Sequence, residues 1–338
     1  MDQERITLAH GAGGQKTAEL IERLFARHFQ NPDLTADDAA VLSLGGTKIA
    51  MTTDGFIVSP WRFPGGNIGE LSICGTVNDL TCMGARPRYL TCAFQIEEGF
   101  PLRDLDAIAA SMAETARACG VTIVAGDTKV AGRGQVDGCF ITTTGIGELL
   151  PNIRTGGALA RPGDDVLVTG DIGRHGSAIL LARDSYGIEA EVTSDCAPLW
   201  PMMEHVFAAL PQGDALHTLR DATRGGVGTV LYEIARESGV GIELRAETIP
   251  CAPAIQGLTG LLGLNPLYLA CEGRLVLFCA PAVTDAVLAA LHETREGAGA
   301  TRIGTVSAAP AGRVSLITEL GTRTLLPPPT GELLPRIC

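Results

Sequence analysis

The sequence predicts a mixed α/β protein of two domains, and three observations carry that expectation. Of its 338 residues 46% are apolar, enough to fill more than one core. Apolar runs of period two alternate along the chain with stretches of helical spacing. A Gly- and Pro-rich stretch, PNIRTGGALARPGD, then interrupts the alternation, and the pattern starts afresh after it. The boundary is placed near Pro151–Gly163, giving an N-terminal domain over 1–150, a second α/β domain over 151–320 and a mobile tail over 321–338.

The elements follow in order. HGAGG, with Gly11, Gly13 and Gly14, opens into a helix with Leu20, Leu24 and either Ile21 or Phe25 on one face. Backbone N–H groups at such a loop can cradle phosphate, and a plain turn is the alternative. Val41, Leu42 and Leu44 predict a strand, Gly45 and Gly46 a hairpin turn, and KIAMTT a second strand ending at Asp54. Asn67 is a predicted N-cap for a helix on which Ile68, Leu71, Cys74 and Val77 recur, with Asn78 and Asp79 toward its end. YLTCAFQIEEG is a strand and LRDLDAIAASMAETARACG an amphipathic helix. VTIVAGDTKV is a strand ending in Asp127, Thr128 and Lys129, and CFITTTGIGELL closes the first half. Beyond the boundary, DDVLVTG starts a strand, ALHTLRDATRGGVGTVLYEIARESG is a loop and helix, and GIELRAETIP follows. LYLACEGRLVLFCAP is a pair of short strands broken at Glu272 and Gly273. AVTDAVLAALHE is a helix, and RIGTVSAAPAGRVSLI supplies the last strands.

Charge and composition exclude some functions. The net charge is −12 and the lysines are three, Lys16, Lys48 and Lys129, so no basic stripe exists for nucleic acid. No apolar run approaches the length of a membrane span, which predicts a soluble, cytosolic protein. The ten cysteines show no CxxC pair and no zinc spacing. Cys74, Cys119, Cys139 and Cys279 sit among apolar neighbours and are expected in a reduced core. Cys338 is different, being the final residue: taken alone it reads as an incidental cysteine on a frayed terminus, and the rest of the chain favours a tethered reactive thiol. Pro327, Pro328 and Pro329, then Thr330 and Gly331, place it on a tether whose last eight residues reach roughly 25 Å when extended.

Asp54, Asp79 and Asp127 recur at element ends, with Asp38 as a fourth. Converging carboxylates suit Mg²⁺, which takes its remaining ligands from phosphate and water. Such a set, with Lys129 and the Gly loop, points to ATP; strand-end aspartates are also ordinary turn and cap formers.

Together HGAGG, TTDG, FPGGNIGELSICGTVNDL, MGARPRYL, AGDTKV, LRDATRGGV, CEGRL and the terminal PRIC resemble the HypE family of nickel–iron hydrogenase maturation proteins. The resemblance spans the whole chain. Most of these motifs are shared across the PurM-like superfamily, with aminoimidazole ribonucleotide synthetase, selenophosphate synthetase and thiamine-monophosphate kinase, whereas PRIC is not. One departure is Cys271, where the family usually has Asn before the Glu-Gly pair.

The resemblance implies a homodimer whose paired N-terminal domains form a β-barrel, with ATP near the interface. It implies that a carbamoyltransferase, HypF, loads Cys338. ATP then drives dehydration of the carbamoyl group to thiocyanate, and the cyano group passes to iron held by HypC and HypD. In that scheme Cys338 is the acceptor and Glu272 the candidate base, with an ion pair to Arg274 as its alternative. Lys129 stabilises phosphate, with a surface salt bridge as its alternative. Gly11, Gly13, Gly14, Asp38, Asp54, Asn78, Asp79, Asp127, Thr128 and Arg224 bind the nucleotide and its Mg²⁺, the metal falling to Asp38, Asp54, Asp79 and Asp127. Arg224 alternatively contacts the tail, and His175 is a substrate-side candidate. Two rivals stand beside this reading. One is a selenophosphate synthetase or small-molecule kinase, although no cysteine precedes Cys74 to serve the first. The other is a non-catalytic thiol carrier gated by ATP.

Overall fold

A computed structural model describes residues 7, 10, 15–29, 31–183, 186–210, 215–327, 334 and 336–338. The predicted phosphate loop at Gly11, Gly13 and Gly14 lies outside these residues. The first helical segment runs from α1 (Gln15–Leu20) through a π-turn into α2 (Arg27–Phe29), with Ile21, Leu24, Phe25 and Phe29 exposed.

The predicted hairpin forms from β1 (Ala40–Leu44) and β2 (Thr47–Phe56). Gly45 and Gly46 turn it at φ +57° and +90°, a two-residue turn that requires positive φ at both positions. Short β3 (Arg62–Phe63) and β4 (Gly66–Asn67) lead into α3 (Ile68–Cys82). Asn67 caps α3 as predicted, its side-chain oxygen accepting from the N–H groups of Gly69 and Glu70. Almost every residue of α3 is buried, which explains why it is apolar on all sides. After β5 (Ala85–Glu97) come α4 (Leu102–Cys119), β6 (Thr122–Ala131) and β7 (Cys139–Leu149). The sheet order is β1-β2-β7-β5-β6, with β5 and β6 parallel and the other pairs antiparallel. α3 packs on β2, β7 and β5. On the opposite face Met51, Ile146 and Tyr89 stand in register across three strands, and all are exposed.

The second domain holds β8 (Asp165–Val168), α5 (Arg174–Ala182), α6 (Trp200–Ala209), β9 (Leu216–Asp221) and α7 (Gly226–Glu237). It continues through β10 (Gly241–Arg245), α8 (Pro253–Leu262), β11 (Leu275–Cys279) and α9 (Pro281–His292) to β12 (Thr301–Ser307), β13 (Arg313–Ile317) and β14 (Arg323–Leu325). Its sheet order is β14-β13-β10-β12-β8-β11-β9. Two expectations are corrected here. Leu216–Asp221, expected as loop, is a strand buried at every position. Its charged residues hide the strand pattern, yet they are paired inside: His217 Nδ1 lies 2.8 Å from Asp164 and Arg220 Nε 3.0 Å from Asp38. Conversely, the first half of LYLACEGRLVLFCAP is no strand. Pro266–Tyr268 form a 3₁₀ turn, whose Leu267 N–H is held by the Asn265 side chain.

One core joins the domains. Leu71 and Ile73 of α3 share it with Leu199, Met203, Leu219 and Leu277. The four cysteines expected in the core, Cys74, Cys119, Cys139 and Cys279, are buried and free. No helix among the described residues is long and apolar enough to cross a membrane.

Candidate active site between the domains

Asp79 lies near the end of α3, Asp38 just before β1, and Asp221 ends β9. These elements bring one carboxylate oxygen of each within 4.8 Å of the others. Thr52 of β2 donates its hydroxyl to Asp79 Oδ2 at 2.7 Å, and Asp54, two residues on, shares a hydrogen bond with Asp79. Burial pushes Asp79 and Asp221 well above the usual carboxylate range, and the neighbouring carboxylates push the same way. Asp38 is raised to about 7 by burial, against the pull of Arg220. Its Oδ2 is buried with no hydrogen-bond partner among the described residues. Crowded, buried oxygen donors of this kind fit a hard divalent cation. Asp221 was missing from the predicted set because its strand was. The signal available was the Arg-Asp pair closing the run LHTL.

Asp127 and Lys129, by contrast, do not join the cluster within one chain. Asp127 is in register with Ala93, Ala93 with Thr142, and Thr142 with Gly55. Residues in register share a face, and Gly55 alternates with Asp54, so Asp127 stands on the face opposite Asp54. It is also three strands away, on the order of 14 Å. There it pairs with Lys129 at 2.8 Å, both side chains exposed. Thr128 lies between them on the exposed edge strand β6.

Asn78 faces the second domain. Its amide nitrogen donates to the Ala197 and Glu272 carbonyls at 3.1 and 3.4 Å, and its oxygen accepts the Leu199 N–H at 2.8 Å. It therefore fastens the Glu272 loop to α3. From the other side, Asp195 accepts the N–H groups of Glu272 and Gly273 at 3.2 and 3.3 Å. The fit needs glycine at 273, since a Cβ there would fall 1.7 Å from the Asp195 carbonyl oxygen. Glu272 itself is 2% exposed, and its Oε1 has no hydrogen-bond partner among the described residues. Burial raises its pKa well above the usual range, with Asp221, Asp195 and Asp54 adding to the shift and Arg224 opposing it. The alternative partner, Arg274, instead binds Asp171 at 2.9 Å. Cys271 is buried, and its sulfur accepts the Gly173 N–H at 3.1 Å.

The tail enters this site. Tyr232 holds the Leu326 carbonyl at 2.7 Å and Tyr268 the Pro327 carbonyl. The chain end then lies beside Ile57–Ser59 in a strand-like pairing. Ile57 N–H donates to Cys338 O at 3.0 Å, Ser59 N–H to Arg336 O at 3.2 Å, and Arg336 Nε to Ile57 O at 2.9 Å. The Arg336 guanidinium pairs with Asp137 and lies 5.4 Å over the Phe140 ring. Ile337 is buried and Cys338 is 9% exposed. Arg224 donates to Cys338 Sγ at 3.2 Å, a contact with the tail. Burial pushes the thiol up to about 11, Arg224 pulling down and Glu272 pushing up. His175, fully buried, lies 2.7 Å from the Ile337 carbonyl. A neutral thiol thus faces a guanidinium and a carboxyl group whose Oε1 has no hydrogen-bond partner among the described residues, with a cation-sized acidic cluster nearby and water largely excluded.

Comparison with known proteins agrees with this construction. Residues 36–149 match the AIR synthase related protein N-terminal domain, and residues 161–317 match its C-terminal domain. The carbamoyl dehydratase HypE of Rhodobacter capsulatus is 45% identical over 99% of this chain and 98% of its own. A HypE crystallised with HypF superposes with a TM-score of 0.87 at 43% identity, over 92% of this chain and 99% of that one. A HypE crystallised with ATP gives a TM-score of 0.82 at 44% identity, over 99% and 100%. By its fold, its paired domain matches and its likeness along the full length, the chain belongs to the HypE family of carbamoyl dehydratases, within the AIR synthase related (PurM-like) proteins.

Proposed function

We propose that the protein uses ATP to dehydrate a carbamoyl group carried on Cys338 to a thiocyanate, the source of cyanide ligands for the hydrogenase iron. The observation that carries this reading is the burial of Cys338 beside Arg224 and Glu272, with the acidic cluster close by. An amide oxygen is a poor leaving group. Transfer of the γ-phosphoryl group of ATP to that oxygen lets it depart as inorganic phosphate. The two nitrogen protons must leave as the C≡N bond forms, and Glu272, whose charge is felt at Cys338, is the proposed acceptor of one of them. Exclusion of water protects the activated group from hydrolysis. Asp38, Asp79 and Asp221, with Asp54 beside them, would hold Mg²⁺, which supplies positive charge to the polyphosphate when bound.

HypF is the proposed loading partner and a HypC–HypD complex the proposed acceptor; the HypE relative solved with HypF supports the first. Loading requires Cys338 outside the cleft. From Pro327 the chain has eleven further residues, a reach of roughly 35 Å when extended. A homodimer is proposed through the open face of the first sheet, where Met51, Ile146 and Tyr89 are exposed. Asp127 and Lys129 share that face, so any contact they make with the nucleotide passes through the dimer. Light scattering should give twice the chain mass, and a monomer at micromolar concentration would count against it.

The test of function is the mass of the C-terminal peptide after incubation with carbamoyl phosphate and the carbamoyltransferase. The carbamoyl adduct should accumulate without ATP in the dehydration step and convert to the cyano form when ATP and Mg²⁺ are added. An adduct unchanged by ATP would overturn the proposal.

A further inference from the structure

His175 touches no part of the acidic cluster, yet it is fully buried between the tail and a strap of the second domain. Its Nε2 lies 2.7 Å from the Ile337 carbonyl, which can only accept, so Nε2 carries the hydrogen. Its Nδ1 lies 2.8 Å from Ser194 Oγ. That oxygen already accepts the Cys196 N–H at 3.0 Å, and its hydroxyl hydrogen points to Nδ1. The ring packs edge-on against Phe63 at 5.2 Å between centroids. Every polar atom of the neutral imidazole is therefore used, one of them on the tail itself. Ser194 is followed by Asp195, which brackets Glu272, and by Ala197, which Asn78 of α3 holds. The strap thus ties the tail's support to the backbone of Glu272.

We propose that His175, set by Ser194, is the positioning residue that latches the loaded tail, holding the Ile337 carbonyl so that the group on Cys338 meets Arg224 and Glu272. The latch rests on the proposed dehydration reading for its purpose, although docking itself is measured independently of that chemistry. Its selectivity is for the neutral ring. An imidazolium would turn an N–H toward Ser194 Oγ and displace the serine hydrogen from its place.

Burial, the largest influence on the ring, lowers its pKa overall; the Ile337 carbonyl and Asp195 on the strap favour protonation, and Arg183 at the end of α5 opposes it. From the tail, Arg336 is turned away to Asp137, and β3 presents the Phe63 ring. Release of the tail opens the ring to water and lifts part of the burial that keeps it neutral, so the released ring takes a proton more readily. The docked state binds fewer protons than the released state. Docking is therefore at full strength where the released ring is neutral, and weakens up to about tenfold per pH unit as pH falls through the released ring's pKa, until the lowered docked pKa is reached.

The experiment is alkylation of Cys338 by iodoacetamide in the full chain, read by mass spectrometry of the C-terminal peptide. Rates are divided by those of the free octapeptide GELLPRIC, which removes the thiol's own pH dependence. His175→Leu should label roughly ten- to a hundredfold faster than wild type, because the Ile337 carbonyl loses its buried partner. His175→Gln, whose amide can still donate to that carbonyl, should recover most of the protection and lose its pH dependence. Labelling of His175→Leu at the wild-type rate would overturn the latch. Should that variant not fold, the wild-type series decides: protection that stays flat from about pH 8 to about pH 5.5 overturns it equally. A wild-type tail that is protected as described but never converts its carbamoyl adduct supports the latch and counts against the dehydration reading alone.

Discussion

Replacing Glu272 by Gln should separate loading of the tail from dehydration. Asp195 and Asn78 hold this residue through its backbone N–H and carbonyl groups, and those contacts survive the substitution. The side chain keeps its volume in a site where it is 2% exposed. What it loses is the capacity to take a proton, since an amide is not a base at any working pH. Removal of a positioned base costs typically about 10²–10⁴-fold in rate, or about 3–5 kcal/mol in barrier. In the proposed scheme, loading by the carbamoyltransferase uses an undocked thiol and asks nothing of this pocket. The assay starts from tail already carrying the carbamoyl group and follows its conversion after ATP addition by quenching and mass analysis of the C-terminal peptide. The expected result is normal adduct formation and slow appearance of the cyano form. Conversion at the wild-type rate would refute the role of Glu272 and leave the proton to another group or to the departing phosphate.

Asp79→Asn removes one carboxylate charge from the cluster while leaving an oxygen to accept the Thr52 hydroxyl, and should weaken Mg·ATP binding roughly ten- to a hundredfold, read by calorimetry. Arg220→Met leaves Asp38 buried without its 3.0 Å partner, and should destabilise the fold by about 3–5 kcal/mol in urea unfolding. Cys338→Ala should abolish tail modification while changing stability by only about 1 kcal/mol or less, as a small side chain at the chain end gives up little apolar surface.

The sequence by itself determined the local pieces of this protein and the types of residue in its chemistry. The hairpin at Gly45–Gly46, the capped helix after Asn67 and the reduced core cysteines all rest on short-range rules of turn geometry, capping and apolar spacing. Asp38, Asp54 and Asp79 were legible as acids at element ends, and Cys338 and Glu272 through the motifs around them. The tertiary structure alone decided which of these meet. Asp221 completes the cluster because β9 lies beside α3, a neighbour far away in sequence, and its strand was masked by charges that find partners only on folding. Asp127 is set apart by pairing register, which puts it on the other face from Asp54, and one residue of register reverses a face. The tail appears in the sequence as a polar, proline-rich tether, and no local rule places its end in a cleft. That placement comes from burial of Ile337 and from partners that three distant segments supply together: the backbone of Ile57 and Ser59, His175 and Arg224. Spacing along a chain reports the face of one element, whereas a site is made where faces of several elements close on each other.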